Sequence, residues 1–275
     1  MIKMPLTPAR IRSFRETIYR HYALHGRRLP WRTTRDPYRI LVSEVMLQQT
    51  QVERVVRKYR EFTAAFPDFR ALARAPLRKI LRRWQGLGYN RRALALKRIA
   101  ESVISEWEGK LPPGIEDLQT LPGIGRSTAS AIAAFAFDIP VPFIETNVRT
   151  VFIHFFFRAR RVVSDEEILP LVEETLDAAH PRKWYNALMD YGAMLKATYE
   201  NPSRRSARYR KQTSFKGSDR QIRGMILKAC IGRRSLSARE LVARLRVEPE
   251  RVRRNLGRLV TDGLMKERAG KVAIA

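Results

Sequence analysis

A chain of 275 residues is long enough for a substantial core and for more than one domain. Its 54 Lys and Arg against 27 Asp and Glu give a formal charge of +27, which favours a polyanionic partner, although a basic protein of ribosomal type has the same balance. The single cysteine, Cys230, excludes an internal disulfide and any cysteine-rich zinc or iron–sulfur site within one chain, and a hydrophobic share of 44% argues against disorder.

The pattern of apolar residues is helical almost throughout. Residues 8–26 form the first expected helix, and within it His21 and His25 lie one turn apart. They read as packing or surface, since the four histidines otherwise give no metal-ligand spacing, and no metal site is expected from side chains. Further helices are expected at 38–48, 52–66, 77–85, 92–106, 115–120, 126–137, 147–157, 165–179 and 183–197. Gly86-Leu-Gly88-Tyr89 reads as a loop, and Pro112-Pro113-Gly114 breaks the chain. The apolar runs 131–137 and 151–157 are too short to span a membrane, and no signal peptide precedes a cleavage site, so a soluble, intracellular protein without a membrane partner is expected.

Composition changes at Asn201. The Ser- and Arg-rich stretch 201–217 reads as a basic linker between a body at 1–200 and a module at 218–275. The module reads as three short helices at 219–230, 237–245 and 248–262, followed by a terminal hairpin around Ala269-Gly270, which is the pattern of a winged helix. Its arginines at 251, 253, 254 and 258 suit phosphate contacts or, equally, a solvated face.

The most telling stretch is Leu121-Pro-Gly-Ile-Gly-Arg-Ser127, followed by Glu145-Thr-Asn147. Glycines at 123 and 125 make a tight turn that leads into a helix beginning at Arg126. The N–H groups of such a turn and helix start suit a phosphate. A carboxylate shortly downstream then brings an ionisable group within one fold's reach of a held DNA backbone, as an enzyme acting at a sugar requires.

Residues 8–199 resemble the helix-hairpin-helix DNA glycosylase superfamily, and within it the MutY-type adenine DNA glycosylases. The resemblance rests on Pro30-Trp31-Arg32, Asp36-Pro37-Tyr38, Ser43-Glu44-Val45-Met46-Leu47-Gln48-Gln49-Thr50-Gln51-Val52, Trp84-Gln85-Gly86-Leu87-Gly88-Tyr89, the hairpin Leu121–Ser127 with Thr128-Ala129, Glu145–Val148, and Met189-Asp190-Tyr191-Gly192-Ala193-Met194, in the family's order. The hairpin alone marks a DNA-binding superfamily, and the Ser43–Thr50 string is far more specific. The implied fold is mainly α, a two-lobed glycosylase body with the small winged-helix-like module behind it.

Breaking an N-glycosidic bond places positive charge on the sugar and negative charge on the departing base. The first needs a carboxylate and the second a proton donor. By resemblance Glu44 is the acid, and its apolar helix would raise its pKa by desolvation; otherwise it is a helix-surface glutamate. Glu145 stands where the family carries an aspartate that steadies or captures the sugar cation, one methylene longer here, and it also suits a helix cap. Asn147 resembles the asparagine that orients this carboxylate, or is itself a cap.

Ser127 occupies the position where lyase-type relatives carry a lysine nucleophile, so Schiff-base strand cleavage is not expected; a serine there is also an ordinary first-turn residue. Gln49 and Tyr89 resemble residues that wedge into the duplex as the target base flips out. Their alternatives are a polar helix end and an aromatic packed on Trp84. Arg32 matches an arginine of the base pocket, or else serves as an ion-pair partner. The hairpin, through Gly123, Gly125, Arg126 and Thr128, is expected to hold the DNA backbone. Its carbonyls, around Leu121 and Ile124, hold a monovalent cation in the superfamily.

Two departures accompany the resemblance. Where close relatives hold a four-cysteine iron–sulfur cluster, this chain reads Ala197-Thr-Tyr-Glu-Asn-Pro-Ser-Arg-Arg-Ser206, so no cluster is expected and the Arg-rich stretch is a candidate for its DNA contacts. The small module also stands where typical relatives carry a Nudix-like reader of oxidised guanine. The resulting expectation is a monomeric, monofunctional base-excision glycosylase of the cytoplasm and nucleoid. Its partner is double-stranded DNA with a mismatch or lesion, and its target is adenine opposite guanine or 8-oxoguanine. The alternatives are the same chemistry on thymine, uracil or a deaminated purine, or a non-catalytic DNA-binding protein on this scaffold.

Overall fold

The computed structural model describes residues 6–211, 213–233 and 235–275. In chain order its helices are α1 Pro8–His25, α2 Pro37–Leu47, α3 Val52–Ala65, α4 Phe69–Arg74, α5 Leu77–Trp84, α6 Arg91–Glu106, α7 Ile115–Thr120, α8 Arg126–Phe137, α9 Thr146–Phe156, α10 Asp165–Thr175, α11 Pro181–Thr198, α12 Asp219–Ile231, α13 Ala238–Leu245 and α14 Pro249–Thr261. The strands are β1 Leu236–Ser237, β2 Met265–Arg268 and β3 Lys271–Ile274. The chain is therefore mainly helical, as its periodicity indicates. No helix among the described residues is long and apolar enough to cross a membrane.

Two compact units divide the chain. One comprises Met1–Pro37, Pro113–Glu116 and Gly125–Lys211, and the other Tyr38–Pro112, Asp117–Ile124 and Gln212–Ala275. The first is organised by α9 and α11, with α1 across them. Phe14 of α1 is its aromatic hub, with ring centroids 5.5 Å from Phe152, 5.1 Å from Phe156 and 5.7 Å from Trp184, all edge-on. Edge-to-face geometry sets each ring's positive rim against its neighbour's negative face, which adds to the burial term. Local chemistry fixes the helix starts. Thr7 caps α1, and Ser164 with Glu167 forms a reciprocal capping box on α10. Helix α10 stops at Thr175, short of the expected 179. There Arg15 donates to the carbonyls of Thr175 (3.0 Å) and Leu176 (2.5 Å), satisfying acceptors that a further turn would have used.

The stretch expected as a linker has structure of its own at its start. Pro202–Arg205 form a 3-10 turn in which Pro202 and Ser203 are buried. The Arg205 guanidinium donates to the carbonyls of Phe157, Arg158 and Arg160 beyond the end of α9, at 2.8, 2.9 and 3.2 Å. Ser206 makes a bridge with Val163, and Arg208 pairs with Asp165, which Arg149 holds in a two-pronged contact. Arginine forks and backbone hydrogen bonds thus hold the segment where the resemblance would have placed iron ligands. The single thiol, Cys230, is buried on α12, so a four-thiolate cluster has no ligand set in this chain.

In the second unit α4 and α5 pack on α6, and α12 packs on α5. Arg78 of α5 caps the far end of α12, donating to the carbonyls of Cys230 (2.9 Å) and Ile231 (3.1 Å). The C-terminal module has the helix–strand–helix–helix–strand–strand order of a winged helix, with antiparallel strands in the order β1-β3-β2. Leu236 pairs with Val272, so the expected two-stranded ribbon gains a third, two-residue strand. Ile222, Ile226, Leu241, Val252, Leu259, Leu264 and Val272 form its core.

Candidate active site

In the first unit the loop before α9 carries Glu145. Its side chain folds back on the helix it precedes. Oε1 accepts from the backbone N–H groups of Asn147 (2.7 Å) and Val148 (3.1 Å), and Oε2 accepts from the Asn147 side-chain amide at 3.4 Å. Glu145 is therefore the cap of α9, and Asn147, expected either to orient this carboxylate or to cap the helix itself, is a donor in the first turn: three donors fix one carboxylate. The head of α9 is in turn pressed by Gly192 of α11. A Cβ at that position would lie 2.5 Å from the Asn147 carbonyl oxygen and 2.8 Å from the Asn147 Cβ. Only glycine lets the two backbones approach this closely.

Ser127, exposed in the first turn of α8, donates its hydroxyl to the carbonyl of Ile144 at 3.2 Å, which ties α8 to the residue before Glu145. Lys196 of α11 lies within electrostatic reach of Glu145. Its burial lowers the amine's pKa, opposed by the Glu145 charge.

Arg32 is brought to Asp190 of α11. Its guanidinium makes a bidentate pair with the carboxylate at 2.7 and 2.8 Å, and Arg27 adds a side-chain contact at 2.6 Å and a backbone N–H at 2.8 Å. Both partners of the Arg32 pair are buried, with 8% and 2% side-chain exposure. Burial works to raise the Asp190 carboxyl's pKa, but the Arg32 and Arg27 contacts prevail and hold it below its ordinary value. Asp190 therefore locks Arg32 onto the helix that also carries Gly192. His21 and His25 stand ring to ring at 5.0 Å, with Tyr191 5.1 Å from His21, which is a packing arrangement.

In the second unit Glu44 is half-buried on α2, between the buried Ser43 and Val45. Helix α2 ends in a loop at Gln48–Thr50, and a second loop, Gly86–Asn90, precedes α6. Gln49 (φ 54°) and Tyr89 (φ 44°) both adopt left-handed backbone, a conformation that costs an ordinary residue about 1 kcal/mol or more.

The group that holds both loops is Arg92, which no motif in the sequence marks. It is 8% exposed. It donates to the carbonyls of Val45 (2.9 Å), Met46 (2.7 Å) and Gln48 (2.7 Å) and to the Thr50 hydroxyl (2.9 Å), and it reaches the carbonyls of Leu87 and Gly88 at 3.3 and 3.2 Å. Burial lowers its pKa to about 10, which leaves it charged at neutral pH. Trp84 supports the same loop from beneath, donating to the Gly88 carbonyl at 2.9 Å. Tyr89 is half-buried, and its hydroxyl accepts from Arg220 of α12 at 2.8 Å.

The turn between α7 and α8 buries Leu118, Leu121 and Ile124 and exposes Gly123, Gly125 and Arg126, with Thr128 half-buried. Gly123 is left-handed (φ 79°), and no side chain caps the start of α8 at Gly125. The Leu121 carbonyl accepts from the Ile124 N–H at 3.1 Å and keeps a second lone pair, which is compatible with a cation at the hairpin. In the C-terminal module, Arg251, Arg254 and Arg258 gather on Asp219 at 3.1, 3.6 and 3.2 Å, and Arg253 pairs with Glu250 at 2.9 Å. These arginines of α14 are therefore partly neutralised within the module.

A sequence model described as "HhH-GPD superfamily base excision DNA repair protein" matches residues 42–176. An adenine DNA glycosylase of Mycolicibacterium smegmatis is 35% identical over 276 residues, covering 91% of this chain and 92% of that protein. The adenine DNA glycosylase of Buchnera aphidicola subsp. Baizongia pistaciae is 34% identical, covering 66% of this chain but 52% of its own length. The chain thus spans about half the length of the Buchnera relatives it matches. Among solved structures, a thermostable thymine-DNA glycosylase superposes with a TM-score of 0.62 at 26% identity, covering 70% of this chain and 91% of that one. An endonuclease III–DNA complex, at 19% identity and a TM-score of 0.58, shares the fold.

Proposed function

The chain belongs to the HhH-GPD superfamily of base excision DNA repair proteins, within it to the adenine DNA glycosylase family, and from that premise we propose that it is a monofunctional DNA glycosylase that excises adenine mispaired with guanine or 8-oxoguanine. The observation that carries this reading is the oriented Glu145 carboxylate. Three N–H donors hold it at the head of α9, and a glycine beneath them lets that helix sit where it does. The two backbone N–H bonds make this carboxylate the cap of α9, and the Asn147 amide adds a third hold that fixes the orientation of its second oxygen. Glu44, half-buried among apolar neighbours, is the counterpart acid.

In the proposed reaction Glu44 gives its proton to the departing adenine, so the base leaves neutral as the glycosidic bond breaks. Glu145 faces the cationic sugar that results, and water completes the hydrolysis to leave an abasic site. Asn147 keeps the Glu145 carboxylate in one orientation. Gln49 and Tyr89 fill the gap left by the extruded nucleotide, with their loops set in advance by Arg92. Gly123, Gly125, Arg126 and Thr128 hold the backbone of the bound strand. Ser127 supplies no amine, so the product strand stays intact. The Arg32–Asp190 pair fixes Arg32 on α11, the helix whose Gly192 meets the head of α9.

The test is a panel of duplexes with adenine opposite guanine, 8-oxoguanine or cytosine, and with thymine or uracil opposite guanine, each treated with hot alkali after incubation. Cleavage at adenine supports the reading. Cleavage only at thymine or uracil moves the same chemistry to another base, and tight binding without product on any duplex reduces the protein to a DNA binder. Strand breaks without alkali would contradict the monofunctional assignment.

A further inference from the structure

Helix α14 buries Val252, Asn255, Leu256 and Leu259 in the C-terminal module and turns Arg253, Arg254, Gly257 and Arg258 to the surface. Positions 253 and 257, like 254 and 258, are one helical turn apart and share a face. With Arg223 of α12 and Asp262 just beyond α14, that face forms an open groove of about 550 Å³. We propose that this groove is a second DNA contact, which grips the phosphodiester backbone of the duplex flanking the excised base without reading its sequence. The inference rests on the glycosylase reading for its partner, DNA, and extends it from the lesion to the flanking duplex.

Charge is the first support. Six arginines share three carboxylates: Arg251, Arg254 and Arg258 meet Asp219, Arg253 meets Glu250, and Arg91 and Arg223 meet Asp262. Half of their positive charge is left without a counterion in these pairs. Exposed ion pairs are weak, so a phosphate competes for the guanidinium forks, whose geometry it matches in a two-pronged contact. The hairpin of the same module is basic as well, with Lys266, Arg268 and Lys271 exposed around the turn at Ala269-Gly270.

Shape is the second. A Cβ at Gly257 would meet nothing within 4 Å, so the helix presents bare backbone between flanking arginines, and a sugar–phosphate chain can approach it closely. Position is the third. Arg223 lines this groove and also the space bordered by Gln48, Gln49 and Tyr89, so the groove adjoins the loops that carry the wedge residues. An acidic protein segment would meet the same charge. The lining favours DNA over it, because apart from Gly257 it consists of charged and hydroxyl side chains, with none of the aromatic or aliphatic anchors at the centre of protein interfaces.

The test compares the full chain with the triple variant Arg253→Gln, Arg254→Gln, Arg258→Gln and with its lysine counterpart. Binding by fluorescence anisotropy is followed over a range of salt concentrations, on an undamaged duplex and on one with a tetrahydrofuran abasic-site analogue; thermal melts report folding. The glutamine variant should lose about tenfold or more in affinity, by the same factor on both duplexes, and its plot of log affinity against log salt should flatten by roughly 2–3 in slope. The lysine variant should keep most of the wild-type slope. An unchanged slope in a folded glutamine variant would overturn the proposal and leave the groove to an acidic protein segment. A loss that lysine does not restore, or one confined to the abasic duplex, would overturn it too. If the wild type excises nothing from any duplex while the slope flattens in the variant, the grip stands and the excision reading falls. If excision occurs and the slope is unmoved, the reverse holds.

Discussion

Replacing Gly192 by alanine isolates the positioning of the Glu145 carboxylate from its chemistry. The new methyl group would lie 2.5 Å from the Asn147 carbonyl oxygen and 2.9 Å from its carbonyl carbon, against an ordinary contact of at least 3.4 Å. The obstructing atoms are backbone at the first turn of α9, so no side-chain rotation relieves the overlap. The head of α9 must retreat by about 1 Å, a displacement that costs roughly 100-fold in rate when it moves a catalytic group. Overpacking costs about 1–3 kcal/mol, and an alanine inside α11 returns about 1 kcal/mol through helix propensity, so the net loss of stability is modest. Rate therefore falls much further than stability. Single-turnover adenine excision, followed with duplex binding and a thermal melt, separates the two. The expected result is a loss of about 100-fold with binding intact and a small drop in melting temperature. An excision rate equal to wild type would refute the inference that this contact sets the carboxylate's place.

Removing the buried charge with Asp190→Asn leaves Arg32 buried beside a neutral amide. A loss of about 3–5 kcal/mol is expected in denaturant unfolding, and a variant as stable as wild type would show that the pair is energetically idle. The pH sign is fixed by the depressed carboxyl: the stability it contributes is present above its ordinary value of 3.8 and is lost as pH falls through the lower folded value. Asp190→Asn should accordingly flatten the acid limb of the melting profile. Arg92→Leu, measured by fluorescence of a base analogue opposite the target, should lose base extrusion as the two wedge loops relax, with Glu44 chemistry on a single-stranded substrate less affected; equal losses on both substrates would argue against a positioning role. Borohydride trapping on an abasic duplex should give no covalent adduct. An adduct abolished by Lys196→Ala would place a reactive amine beside Glu145 and end the monofunctional assignment.

What could be read from the chain depended on whether the determining contact is local. Helix positions follow from periodicity and caps, and α8 and α9 begin where the hairpin and Glu145 indicate. Helix α4 is not among the expected helices because, unlike the equally short α7, it adjoins no glycine hairpin that marks it in the chain. Asp68 caps it, and its burial of Phe69 and Leu72 becomes evident only in the fold. The end of α10 is set by Arg15, some 160 residues away in the chain. Residues 202–206 have a linker's composition, yet Arg205 holds them through carbonyls far upstream. Arg92 is the clearest case. Beside Arg91 it is one more arginine at a helix start, and its role is created by acceptors from residues 45–50. Arg32 offered two readings by residue type alone, and its partner Asp190 lies on a helix distant in sequence. Glu145 and Asn147 were legible because capping and orienting use the same short spacing.

The most direct measurement on the central claim is single-turnover adenine excision by Glu44→Gln, with duplex binding measured in parallel. Glutamine keeps the shape and the neighbours on α2 and removes the transferable proton. Excision should fall by about 100- to 10,000-fold while binding is retained. Excision at the wild-type rate would contradict the assignment of Glu44 as the acid that releases the base.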